Sequence, residues 1–214
     1  MEKIKSSFLV SVTFLLSFVV FTTLVCFVDV RAIGPLGSSV GFSHLNQWFH
    51  VLTGVNMPLY TVTDWAGLVP LFVAFCFAVT GLVQWIKRKN LKRVDYSLFV
   101  LGGFYMVVMA AYALFETIVI NYRPTLINGY LESSYPSSTT LLVLCVMPVA
   151  AMQFRDRIKN RALKTVVLTA ITLFTVFMVV GRLISGVHWL TDIVGGALLS
   201  AGLVSLYCTA NVLK

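Results

Sequence analysis

The sequence predicts an all-α, polytopic membrane protein with six transmembrane helices and a short interfacial helix between the first and the second. Three observations carry that prediction. Hydrophobic residues make up 58% of the 214 residues and charged residues only 11%, a balance far from that of an ordinary soluble domain. The apolar residues are gathered into runs of membrane-spanning length. The basic residues fall in alternate gaps between those runs: Lys3 and Lys5, then Lys87 to Arg93, then Arg155 to Lys164, and finally Lys214. That is the positive-inside pattern, which places both termini in the cytoplasm. It accounts for the net charge of +8 with no nucleic-acid partner, since no basic stripe is interleaved with aromatics.

The first run, from about Phe8 to Val28, follows Lys3 and Lys5. It is longer than the apolar core of a secretory leader, and Val30-Arg31-Ala32 is a weak cleavage site, so it reads as a retained helix. From Asp29 to Asp64 the chain is mixed, with Gly34-Pro35, Gly37-Ser38-Ser39 and Pro58 as breakers. Inside this segment Phe42, Leu45, Phe49 and Leu52 fall on one helical stripe beside Trp48, the pattern of a helix lying at a membrane interface. His44 and His50 belong to the same segment and read as interfacial polar residues.

The second span is expected from about Trp65 to Ile86 and the third from about Tyr96 to Ile120, with Glu116 near its far end. A polar gap, Asn121 to Tyr135, precedes Pro136-Ser137-Ser138-Thr139-Thr140, which opens a fourth span reaching Phe154. The fifth runs from about Thr165 to Leu183 and the sixth from His188 to about Thr209. Gly195, Gly196, Ala197, Ser200, Ala201 and Gly202 in the sixth allow close helix packing. No repeat or long linker divides residues 1–214, so a single transmembrane domain is expected. Cys26, Cys76, Cys145 and Cys208 are isolated and read as small packing residues, which implies neither a zinc site nor a redox role.

Gly181 to Asp192 concentrates the chemistry, because Arg182, His188 and Asp192 sit there between two long apolar runs. If a helix opens at His188, the i,i+4 spacing puts Asp192 within reach of one imidazole nitrogen and leaves the other free to attack or to move a proton. Ser185-Gly186 makes a tight reversal that brings Arg182 back toward His188. The charge-derived topology, made without reference to any motif, sets Arg123, Pro136 to Thr140, Arg182, His188 and Asp192 together at the outer face. Only Arg31, Arg123 and Arg182 of the sixteen basic residues lie on that side. A helix beginning at Pro136 to Thr140 would offer an anion free amide groups and hydroxyls at its positive end.

These residues resemble the signature of the type 2 phosphatidic acid phosphatase superfamily, the membrane lipid phosphatases related to vanadium haloperoxidases. That signature reads Lys-x6-Arg-Pro, Pro-Ser-Gly-His and Ser-Arg-x5-His-x3-Asp. Here Gly181-Arg182, His188 and Asp192 keep every polar element of the third part except the leading Ser, and Arg123-Pro124 keeps the end of the first. The resemblance covers roughly residues 60 to 210. It implies His188 as nucleophile, Asp192 as its orienting carboxylate, and Arg123, Arg182, Ser137, Ser138 and Thr139 as the phosphate-binding set, with no metal and no cofactor. Glu116 stands where the family has a phosphate-binding Lys, and Thr139 where it has the His that protonates the leaving group. Glu116 is read as an ion-pair partner of Arg123, should the helix continue that far, with a substitute acid as the alternative.

The expected function is therefore a membrane lipid phosphatase or diphosphatase working at the outer face through a phosphohistidine. A phosphate leaving group, with a second pKa of about 6, departs without an acid, so Thr139 points to a lipid diphosphate such as a polyprenyl diphosphate. A silent member that binds lipid phosphate without turnover, and a lipid phosphotransferase, are the alternatives. The expected partners are the bilayer and a lipid phosphate or diphosphate. The sequence leaves the oligomeric state open.

Overall fold

The computed structural model describes residues 2–212. Among them are eight α-helices: α1 Glu2–Phe27, α2 Ser43–Thr53, α3 Met57–Ala66, α4 Leu68–Arg88, α5 Tyr96–Thr117, α6 Ser138–Arg157, α7 Arg161–Ile184 and α8 Leu190–Val212. Six stretches are long and apolar enough to cross a bilayer, and α3 with α4 supply one of them, Met57–Arg88. The protein is thus an all-α multi-pass membrane protein. Exposed apolar side chains such as Phe8, Leu9, Phe72, Phe75, Met106 and Leu173 cover the outside of the bundle, as expected where lipid replaces water.

Helices α6 and α8 form the centre. Half of each spanning window is buried inside the protein, against 11% to 22% for the other spans. Small residues make that possible. A Cβ at Gly195 would lie 2.6 Å from the Tyr135 ring, and one at Gly202 would lie 2.7 Å from Leu15. The glycines expected to serve packing do serve it, seating α8 against α1 and against the segment before α6.

Helix α2 is amphipathic, but the predicted stripe is only partly its outer face, since Phe42 precedes the helix and packs inward on Phe21 with ring centres 6.0 Å apart. Leu45, Trp48, Val51 and Leu52 face outward, whereas Ser43 and Asn46 are buried. Its polar side is the protein side: Asn46 donates to Gly41 O at 2.8 Å and to Thr191 Oγ1 at 3.0 Å, tying α2 to the start of α8.

Three boundaries differ from expectation. Pro58 begins a helix instead of breaking one, because Asn56 caps α3 by accepting from Leu59 N at 3.0 Å and Pro is tolerated in a first turn. The second span therefore starts at Met57, not Trp65. The third ends at Thr117, not Ile120, and the chain then forms a compact loop. That loop closes on an Asn128-Gly129 hairpin, with φ of 51° and 84° and a bridge between Ile127 and Tyr130, the left-handed pair that a tight primed turn requires.

Candidate active site

The loops 118–137 and 185–189 and the start of α3 meet at one end of the bundle, opposite the basic last turns of α4 and α6. Several contacts fasten them. Trp189 Nε1 donates to Tyr122 O at 2.7 Å, Asn56 N to Ser185 O at 2.9 Å, and Ser134 N to Asn121 O at 2.9 Å. At Gly186, φ is 68°, and a Cβ would fall 1.7 Å from Gly54 O. Only glycine accommodates both the left-handed backbone and that approach.

Arg123, Arg182, His188 and Asp192 are all buried here. Arg182, in the last turn of α7, stacks on the Tyr60 ring with 4.9 Å from Cζ to the ring centre, and Arg123 lies over the same ring at 5.7 Å. Tyr60 is thus an aromatic platform between two guanidinium groups. Arg182 also reaches Asp64 Oδ1 at 3.4 Å and Thr63 Oγ1 at 3.5 Å. Its Nε has no hydrogen-bond partner, nor have Nε and Nη1 of Arg123. Glu132 Oε2 stands 3.1 Å from Arg123 Nε, a close ion pair in which the N–H is not aimed at the carboxylate. Expected from the sequence was pairing of Arg123 with Glu116. Because α5 stops at Thr117, Arg123 is not on the helix of Glu116, and Glu116 instead accepts from Ser133 Oγ at 3.2 Å.

His188 precedes α8 and does not open it; the helix starts at Leu190. Asp192 in the first turn caps that helix, its Oδ2 accepting from Trp189 N at 2.8 Å. Asp192 lies within ion-pair distance of the imidazole, as the i,i+4 spacing predicts, with 3.7 Å between Nδ1 and Oδ2, but the two share no direct hydrogen bond. Ser134 Oγ bridges them, 3.0 Å from Nδ1 and hydrogen-bonded to Oδ2. His188 Nε2 is buried and without a partner. Burial, and after it the positive charges of Arg123 and Arg182, hold this imidazole well below its ordinary range, so the ring is neutral and Nε2 can carry a lone pair.

The start of α6 divides the remaining set. Ser137 Oγ accepts from Thr140 Oγ1 at 3.0 Å and Ser137 N donates to Asp192 O at 3.0 Å. The amide is thus committed within the protein, contrary to the expectation that it meets an anion, whereas the hydroxyl only accepts here and keeps its own proton to donate. The amides of Ser138 and Thr139, by helix geometry, have no intrahelical acceptor. Ser138 lines a narrow crevice with Glu116, Ser134 and His188. The Thr139 methyl lies 3.6 Å from where a Cβ on Gly67 would stand, at the junction of α3 and α4. His44 is peripheral, paired with Asp29 at 2.9 Å, and His50 packs on Trp189 with ring centres 5.4 Å apart.

Pattern reading of the sequence missed Ser134, Tyr60, Thr63, Asp64 and Glu132. Asn56-Met57-Pro58 is a helix-start signal that could have revealed α3 and its polar face. Nothing in the Ser133-Ser134 doublet marks one hydroxyl as the buried one.

A family model described as the PAP2 superfamily matches residues 111–212. The fold is similar to that in the "crystal structure of the first transmembrane PAP2 type phosphatidylglycerolphosphate phosphatase from Bacillus subtilis", with a TM-score of 0.61 and 18% identity over 95% of this chain and 96% of that one. At that identity the likeness establishes the PAP2 fold. No curated protein matches the sequence.

Proposed function

We propose that this chain acts as one PAP2 unit, a membrane lipid phosphatase or diphosphatase that cleaves a phosphate from its lipid through a phosphohistidine at His188. The observation that carries the reading is a set of buried nitrogens without partners beside one aromatic platform: Nε and Nη1 of Arg123, Nε of Arg182, and Nε2 of His188. Buried polar groups left unpaired are costly; a phosphate would accept from the arginine nitrogens, and its phosphorus would face the Nε2 lone pair. Arg123 and Arg182 would hold its oxygens and offset charge in the transition state, helped by the amides of Ser138 and Thr139. Nε2 would attack phosphorus, forming the N–P bond as the P–O bond to the leaving group breaks, and water would then release orthophosphate. The donor set consists of cations and amides, so no metal is needed. The positive-inside pattern supports an outward-facing site with both termini in the cytoplasm.

Thr139 favours a diphosphate substrate such as a polyprenyl diphosphate. A positioned acid contributes about 10² to 10⁴ in rate, and only an alkoxide leaving group needs it. Phosphate release from a matched lipid monophosphate and diphosphate in detergent tests this. The diphosphate should turn over at least about 100-fold faster, Thr139→His should raise the monophosphate rate selectively, and His188→Ala should abolish both. Equal wild-type rates on the two lipids would refute the diphosphate assignment. A second reading, a silent binder of lipid phosphate, is favoured by Asp64 and Glu132, which already partner the two arginines. Lipid phosphate bound with no turnover would establish it.

A further inference from the structure

The Ser134 hydroxyl occupies a place that neither motif assigns. It is buried, and it bridges His188 Nδ1 and Asp192 Oδ2, themselves 3.7 Å apart, from one side, with 3.0 Å to the ring nitrogen and a hydrogen bond to the carboxylate. Its backbone is pinned by Ser134 N donating to Asn121 O at 2.9 Å and by the adjacent Tyr122–Ser133 bridge.

The proton count at this junction is restrictive. Asp192 Oδ2 already accepts the Trp189 amide at 2.8 Å, and it receives the single Ser134 proton as well. With that proton committed, the serine oxygen has only lone pairs to offer the ring, so Nδ1 must be the nitrogen that bears hydrogen. Nε2 is then left unprotonated, and Nε2 is the buried ring nitrogen without a partner. The order of groups also excludes Ser134 as a nucleophile. In a serine hydrolase the imidazole stands between serine and carboxylate, whereas here the serine stands between imidazole and carboxylate.

We infer that Ser134 is a positioning residue that fixes the His188 tautomer and couples the ring to Asp192. The inference deepens the phosphohistidine reading and rests on it for its catalytic consequence, but the tautomer itself is independent of turnover. As Nε2 bonds to phosphorus the ring becomes cationic, and the Nδ1–H···Oγ–H···Oδ2 chain lets the carboxylate stabilise that charge without touching the ring.

The test uses the full chain in detergent micelles, with ring nitrogens labelled with ¹⁵N and the His188 signals assigned by their loss in His188→Gln. Wild type should show a protonated Nδ1 and an unprotonated Nε2, and Ser134→Ala should show mixed tautomers, with the two nitrogen shifts drawn together. Ser134→Thr, which keeps the hydroxyl, should restore the wild-type pattern. On a lipid diphosphate, Ser134→Ala should lower kcat by roughly 10- to 100-fold, the usual range for an outer partner of a functional His, with KM within about twofold. A Ser134→Ala protein whose tautomer is unchanged would overturn the inference. Wild type with the expected tautomer but no hydrolysis of any lipid would sustain the inference and refute the phosphatase reading instead.

Discussion

Arg182→Lys isolates geometry from charge at the proposed phosphate site. Arg182 is 1% exposed, stacked on Tyr60 at 4.9 Å, and its Nε has no partner. Its tips reach only a half-exposed Asp64 and a Thr63 hydroxyl at 3.4 and 3.5 Å. Lysine keeps the positive charge but loses the planar fork and the stacking. One charge-assisted hydrogen bond is worth about 1.5–3 kcal/mol, which corresponds to roughly 10- to 150-fold in kcat/KM at about 1.4 kcal/mol per decade. Arg182→Ala removes the charge too, so its kcat/KM should fall below that of Arg182→Lys. Phosphate release from a lipid diphosphate in detergent measures both variants, and thermal unfolding in the same detergent shows whether each remains folded. Folded Arg182→Lys protein with kcat/KM within twofold of wild type would refute the bidentate role.

Three further outcomes are expected. Gly186→Ala puts a Cβ against Gly54 O at 1.7 Å with φ at 68° and should cost at least about 2 kcal/mol; Gly37→Ala, at φ 75° in open space, should cost less, and equal thermal shifts would contradict the packing account. Because His188 is held neutral in the folded state, the unfolded chain binds one more proton below about pH 6.5, so stability should fall as pH drops through that value, by up to about 1.4 kcal/mol per unit. His188→Gln should remove that component, and identical pH dependence in the two proteins would contradict it. A cysteine placed in the loop at 125–133 should react from outside the cell with an impermeant thiol reagent and one at 88–92 should not; the reverse pattern would invert the orientation.

The spans were legible in the sequence because burying a backbone in lipid demands long uninterrupted apolar runs, and Phe8 to Val28 or Thr165 to Leu183 can be little else. That Arg182 and His188 gather at the same end of the bundle was legible too, since a reversal at Ser185-Gly186 returns the chain within a few residues. Helix α3 was obscured because Tyr60, Thr63 and Asp64 give it a polar face that a hydropathy reading takes for a loop. Contacts across many residues were settled by tertiary structure alone. Whether Asp192 hydrogen-bonds His188 directly depends on where α8 begins, and the Trp189 amide, capped by Asp192, sets that start two residues later than spacing suggests. Which hydroxyl bridges the two depends on the hairpin at Asn128-Gly129, which folds the 118–137 loop back so that Ser134 reaches both. Sequence determined the kinds of group and the end of the bundle at which they gather; the loop closures decided which of them meet, because each such contact joins residues that no helical period relates.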